Sequence, residues 1–562
     1  MTTASAPPGR SPLRLLNHIS TNNIKGDLFG GVTAAVIALP MALAFGVASG
    51  AGAAAGLWGA VLVGLFAALF GGTPSLISEP TGPMTVVMTA VIASFTASNP
   101  DNGMAMAFTV VMLAGLFQIA FGVLRLGRYV TQMPYTVISG FMSGIGLILI
   151  ILQLGPFLGQ ASPKGGVMGT LSNLPQLLAN ARPTEITLAV ITMAILWLTP
   201  AALKKIAPPQ LIALVVGTVL SITVLSGGGG EELRRIGAIA SGFPALQVPH
   251  FELGELQLML VDAAVLGMLG CIDALLTSVV ADSITRTEHN SNKELIGQGL
   301  GNLASGLFGG LPGAGATMGT VVNIQSGGRS ALSGISRAVI LMVVILALSG
   351  VAAQIPQAVL AGIALKVGVD IVDWGFIKRA HRISISGALI MYLVIALTVL
   401  VDLIAAVGIG VFIANILTID KMSALQSKSV KSVSTGDGDL DISDEERRLL
   451  DQGRGQVLLF QLNGAMIFGV AKAIGREHNA IGECKAVVFD LTEVSHLGVT
   501  AALAVENAVE EAIEKGREVF VVGASGTTQR RLEKLGLYQK LPAERTQVGR
   551  QEALQQAVAA LS

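Results

Sequence analysis

Two stretches of this sequence interrupt apolar runs with glycine and proline in a way that could hold an anion. Ser78-Glu79-Pro80-Thr81-Gly82-Pro83 precedes an apolar segment near 84–95, and Pro312-Gly313-Ala314-Gly315-Ala316-Thr317 precedes a second near 317–326. As helices of about 15–18 Å, both are too short to cross a bilayer. Backbone left unpaired at that depth survives only where it is buried in protein or lines a cavity. A helix start offers free N–H groups and a partial charge of about +0.5, so two starts facing each other nearly neutralise a monovalent oxyanion. Neither segment holds Lys or Arg, which implies a weak site that releases its ligand. One break alone reads more simply as a kink with glycine for packing; two at matching positions read as a binding device.

The second chemical feature is Asp273, in the middle of a long apolar run. A carboxylate at the bilayer centre costs at least about 2.5–3.5 kcal/mol, so it should face a cavity and have a partner. Thr277 follows one turn later on the same helix face. With the carbonyls around Gly315 these groups suit a hard cation such as Na⁺; a proton is the competing occupant, and a purely structural buried Asp the plainer alternative. Bringing an anion alone into a cell held 100 mV negative costs about 2.3 kcal/mol, whereas an anion moving with Na⁺ carries no net charge. Asp262 and Asp282 sit towards the ends of the same run. Glu79 could line or gate the first break or serve packing or the electrostatics of the helix start, and Asp370, Asp373 and Asp402 read as structural.

These residues need a helical frame. The chain has 562 residues, 52% hydrophobic and 13% charged, where a soluble domain carries roughly 25% charged. Apolar runs lie near 31–50, 53–72, 104–124, 134–154, 185–203 and 209–226, and again near 256–281, 294–310, 330–351, 354–372, 384–400 and 401–418. With the two short segments they make about fourteen elements, and each short segment is third in its set of seven. Basic residues gather in alternate short loops: Arg125 and Arg128, Lys204 and Lys205, Arg286 and Lys293, Arg329 and Arg337, then Lys378, Arg379 and Arg382. That side is read as cytoplasmic. Residues 1–30, with Arg10, Arg14 and Lys25, are expected on the same side. The opposite face shows only Lys164, Arg182, Arg234 and Arg235.

Residues 31–420 are thus read as a membrane domain, 421–454 as a polar linker, and 455–562 as a small α/β domain. Its expected strands are 457–462, 486–490 and 518–522, alternating with helices near 470–480, 500–515 and 527–536. No Walker loop, CxxC, HExxH or nucleophile elbow occurs, so neither a catalytic residue nor a cofactor is expected. His478 and His496 read as surface or packing residues, and Cys271 and Cys484 as inert thiols. The balance of 36 basic and 36 acidic residues gives nucleic acid no electrostatic support.

Four stretches carry a family resemblance: residues 37–46, Ser78 to Pro83, Cys271 to Ser278, and Gly313 to Thr320. By these the chain resembles the SulP family of anion transporters, whose fourteen-segment, seven-plus-seven inverted repeat is shared with nucleobase permeases and followed by a STAS domain. Within the family it is similar to the cyanobacterial bicarbonate-carrying members. The resemblance implies sodium-dependent bicarbonate uptake at the plasma membrane, elevator-like movement, cytoplasmic termini and a homodimer held partly by the STAS domains. Asp273, Thr277, Gly315 and Thr317 would hold sodium, the coupling ion; Thr81, Gly82 and Ala316 would hold bicarbonate. Sulfate:proton symport is the alternative. The phosphorylated serine of some STAS domains corresponds here to Val499, which excludes that modification at this position.

Overall fold

The computed structural model describes residues 16–17, 22–127, 134–204, 207–224, 233–237, 242–401, 403–427, 429–436, 442–467, 473–474 and 484–561. Among them every expected apolar run is helical. The first seven helices are α1 (Ile24–Ser49), α2 (Ala53–Phe70), α3 (Gly82–Ser98), α4 (Gly103–Val123), α5 (Tyr135–Leu152), α6 (Pro183–Leu198) and α7 (Pro209–Thr223), with a two-residue strand, β1 (Ser78–Glu79), before α3. The second seven are α8 (Leu256–Thr285), α9 (Ser291–Leu307), α10 (Thr317–Gln325), α11 (Ala331–Ala352), α12 (Gln357–Ile371), α13 (Ile385–Leu400) and α14 (Leu403–Ser427), with β2 (Ala314–Gly315) before α10. Shorter helical turns between them are left unlabelled. Proline opens α6 and α7, where its missing N–H costs nothing. α1, α2, α4, α5, α8 and residues Ile409–Ser427 of α14 are long and apolar enough to cross a membrane.

The two broken elements are unequal, and neither has the expected length of about 15–18 Å. α3 has 17 residues and α10 only 9, about 25 and 13 Å. Near the polar end of α3, Thr96 donates its hydroxyl back to Ile92 O at 2.6 Å. α10 stops at Ser326 before Gly327, whose φ of 104° suits only a residue without Cβ.

Packing sorts the helices into two sub-bundles. α1–α4 associate with α8–α11, chiefly through α9 laid along α4 and α2, α8 along α4, and α11 against α1 and α2. α5–α7 associate with α12 and α13. The sub-bundles meet where α1 touches α12 and α7 and where α3 touches α5. α4 and α9 approach at Gly115 and Gly299, where a Cβ on either would lie 2.5–2.6 Å from the other's carbonyl oxygen. Close helix contact in lipid depends on such small residues.

Contacts divide the chain into two compact units, Met1–Val411 and Phe412–Ser562, with the boundary inside α14. The second unit contains β3 (Val430–Val433), α15 (Asp444–Gln452), β4 (Val457–Leu462), β5 (Gly464–Met466), β6 (Ala486–Asp490), β7 (Val494–Leu497), α16 (Val499–Glu514), β8 (Glu518–Val522), α17 (Gly526–Lys534) and α18 (Arg550–Ala559). The main sheet has the order β3-β4-β6-β8, parallel except for antiparallel β3. Alternate residues feed its two faces: Leu458, Phe460, Val487 and Phe489 join a core with α16, while Val457, Leu459 and Val488 join one with α15 and α18. The reading of 421–454 as a linker is corrected here. β3 covers the β4 edge, and α15 starts on a capping box in which Ser443 and Glu446 bond each other's backbone N–H. Their polar composition, Val-Lys-Ser-Val in β3, disguised them. His496 is exposed, and Cys271 and Cys484 are buried free thiols. Arg10, Arg14, Arg128, Lys205, Asp402, His478 and most of the expected helix 470–480 lie outside the described residues.

Candidate anion and cation site

β1 and β2 cross in the middle of the first unit. They pair antiparallel, Ser78 opposite Gly315 and Glu79 opposite Ala314, and Ala316 N donates to Ile77 O at 2.8 Å. This short ladder satisfies backbone groups that the broken helices expose. It also sets the two helix starts beside each other. Thr81 immediately precedes α3 and Ala316 immediately precedes α10, and neither helix has a side-chain cap. Their first-turn N–H groups are therefore left to a ligand, apart from Pro83, which has none. The halves differ in access: Thr81 and Gly82 are buried, Ala316 is half-buried and Thr317 exposed. A Cβ on Gly82 would lie 2.4 Å from Ile371 Cδ1 of α12, so the α3 start abuts the other sub-bundle.

α8 adds the acid. Asp273 is only 9% exposed, and its Oδ2 has no hydrogen-bond partner. The Thr81 hydroxyl lies beside this carboxylate yet is itself buried without a bond of good geometry. One turn on, Thr277 donates to Gly315 O at 2.8 Å and stands 3.0 Å from the Thr317 hydroxyl. Gly315 fits closely there, since a Cβ would lie 3.1 Å from Ala274 Cα and from Thr277 Cβ. Thr277, Gly315 and Thr317 thus meet between α8 and β2, with Asp273 one turn before Thr277 on α8 and beside Thr81 of the first helix start. Two buried oxygens without partners at one place are a cost in a folded protein unless something polar occupies the space between them. Asp262 and Asp282 do not join them: at 1.5 Å per residue they lie about 16 and 13 Å along α8. His289 holds Asp282 at 2.6 Å.

A second set of residues, unforeseen from the sequence, positions the crossing. Along α9, Glu294 accepts from Gly72 N and Thr73 N, each at 2.8 Å. Gln298 donates to Ser78 Oγ at 2.6 Å, and Asn302 both donates to Gly313 O at 2.9 Å and accepts from Gly313 N at 2.8 Å. Ser305 donates to Leu311 O at 2.6 Å. One helix face therefore carries hydrogen bonds to the approach and core of both breaks. The signal was available: polar residues at i, i+4, i+8 and i+11 in an otherwise apolar run share one face.

Behind the crossing, Arg337 of α11 is fully buried, bonds Ser78 O at 3.0 Å and Ala60 O at 3.2 Å, and forms an ion pair with Glu79. The reading of Arg337 is corrected, since it is no cytoplasmic loop residue. Of the roles open to Glu79, the ion pair with Arg337 favours the packing and electrostatic one over gating. An arginine does serve the crossing, from behind. Of the remaining acids, Asp373 accepts from Tyr135 and Ser139 and caps a helical turn, and Asp370 pairs with Lys366.

Gly313 has backbone on the side where a Cβ would go, 2.6 Å from Glu79 O and 3.0 Å from Pro80 N. Gly313→Ala is therefore expected to push β1 and β2 apart and to cut transport at least about tenfold with little change in membrane insertion, read as uptake per folded molecule.

Between the sub-bundles lies a cavity of about 650 Å³. α1 and α10 line one side, and α6, α7 and α12 the other. Met318, the second residue of α10, lines it, whereas Thr81 and Asp273 do not.

Comparison with known proteins agrees with this architecture. The model of the sulfate permease family matches residues 24–394, and that of the STAS domain matches residues 449–551. The chain is 72% identical over 549 residues to the "Bicarbonate transporter BicA" of Synechocystis sp., covering 98% of this chain and 97% of that protein. It is 68% identical over 548 residues to the protein of the same name from Picosynechococcus sp., covering 97% of each. Among solved structures, the transmembrane domain of a cyanobacterium bicarbonate transporter BicA matches with a TM-score of 0.67 at 73% identity, over 70% of this chain and all of that one. The murine Solute Carrier 26 family member A9 anion transporter, in the inward-facing state, matches over 100% of this chain and 96% of that one with a TM-score of 0.82 at 17% identity, a likeness of fold alone. A multi-pass helical domain followed by a STAS domain, with relatives that are transporters throughout, is not the description of an enzyme: the chain belongs to the sulfate permease family of membrane transporters.

Proposed function

We propose that this protein carries bicarbonate into the cell together with sodium. The reading rests on one observation: two uncapped helix starts lie side by side across β1 and β2, with the unpartnered Asp273 oxygen at their edge. Bicarbonate would take the first-turn N–H groups after Thr81 and Ala316, at Gly82 and Thr317, with the free Thr81 hydroxyl as a further donor. Sodium would take Asp273, Thr277, the Gly315 carbonyl and Thr317, hard oxygen ligands with one full negative charge. Together the two ions are neutral, so the membrane potential neither opposes nor drives the loaded step. The sodium gradient then supplies the direction. High identity to two proteins named bicarbonate transporters supports the choice of anion.

Movement is proposed to be elevator-like, α1–α4 with α8–α11 sliding against α5–α7 with α12–α14. Both ligand sets lie on the first sub-bundle and would travel with it. The protein is placed in the plasma membrane with both termini in the cytoplasm, as a homodimer assembled partly through its STAS domain. The test is radiolabelled bicarbonate uptake into vesicles containing the full chain, with and without an inward sodium gradient; accumulation only with sodium is expected. Sulfate accumulation driven by a pH gradient and indifferent to sodium would replace this reading by sulfate:proton symport.

A further inference from the structure

The cavity beside the site contains an ion pair that the architecture does not need. Of the described residues lining it, only Lys366 and Asp370 are charged; the rest are apolar or neutral, such as Val36, Pro209, Gln210 and Ser326. Lys366 Nζ lies 2.5 and 2.6 Å from the two Asp370 oxygens. The pair does little for its own helix. Asp370 stands in the last turn of α12, where a negative charge opposes the helix dipole, and a lysine placed before an acid at i, i+4 is the less favourable order. Nor does it tie elements together, since both residues belong to α12.

Its placement does suit the passage of an anion. The Lys366 side chain is 17% exposed and Asp370 44%, so the ammonium lies deeper in the cavity and the carboxylate nearer solvent. The ammonium has three donors on a flexible stem, and one carboxylate uses two of them. A partly exposed ion pair is weak enough for an arriving anion to compete with. Met318, next to the α10 start, lines the same cavity on the opposite sub-bundle.

We propose that Lys366 is a second, transient station for the oxyanion between the crossing and the mouth of the cavity, with Asp370 as the built-in competitor that shortens its stay. Resting on the bicarbonate reading above, this deepens it: the first site is weak because dipoles make it, and the next full positive charge on the route is already partnered. An anion bound there displaces a carboxylate rather than water alone, which keeps the exit from becoming a trap.

The experiment uses the full chain in vesicles and determines the KM for bicarbonate separately on the two membrane faces. Lys366→Gln should raise the KM on the cavity face about fivefold or more and leave the other face unchanged. Asp370→Asn should lower it and slow net uptake at high internal bicarbonate, because release is delayed. Lys366→Arg should stay near wild type, and the double variant should follow Lys366→Gln. A structural ion pair predicts that both single variants change in the same direction; that result, or a cavity-face KM unmoved by Lys366→Gln, overturns the proposal. An active wild type with unmoved variants sinks this inference alone, whereas a wild type that transports no bicarbonate takes the functional reading down with it.

Discussion

Asp273→Asn is expected to abolish sodium-driven uptake while the chain still folds and inserts. The substitution keeps the size and one oxygen but removes the only full negative charge among the groups gathered around Thr277 and Gly315. Losing one charged partner of a buried pair costs about 3–5 kcal/mol, a loss of more than about a hundredfold in cation affinity. The fold should tolerate it well. An uncharged amide lowers the insertion cost at the bilayer centre, and Asp273 Oδ2 has no hydrogen bond to lose. Uptake against sodium concentration decides the matter: wild-type-like transport at low sodium in this variant would place the cation elsewhere.

The second large effect concerns stability. Glu79→Gln leaves the fully buried Arg337 guanidinium without its counter-charge, and should destabilise the first unit by about 3–5 kcal/mol. Low yield of folded protein and a clearly lower melting temperature in detergent are the expected signs. Replacing both partners, Glu79→Gln with Arg337→Met, removes charge and counter-charge together and should recover much of that loss. Uptake should not recover in parallel, because Arg337 also holds Ser78 O beside Gly315. A double variant as unstable as the single one would mean that the pair contributes packing rather than electrostatics.

Much of this was legible in the sequence, for physical reasons that differ by element. The breaks at Ser78–Pro83 and Pro312–Thr317 stand out because glycine and proline at membrane depth have few other uses, and the structure brings both to one crossing. The strands β4, β6 and β8 fall on the expected residues because they are buried on both faces and read as continuous apolar runs. Arg337 was misplaced because a rule that counts basic residues near helix ends cannot distinguish a loop arginine from one that enters the bundle seven residues into α11. β3 and α15 were missed because short edge elements are polar by nature. The α9 face was missed for another reason: Glu294 and Gln298 bond a backbone N–H and a serine hydroxyl more than two hundred residues away, and nothing in their own neighbourhood points to those partners.

That α9 face also limits how the protein can vary. A residue added to or deleted from α9 between Glu294 and Ser305 would turn every later anchor by about 100° and aim it at a neighbouring helix. Exposed loops away from the crossing tolerate changes of length better, whereas this rod has a fixed gauge, set by the spacing of the two breaks it supports.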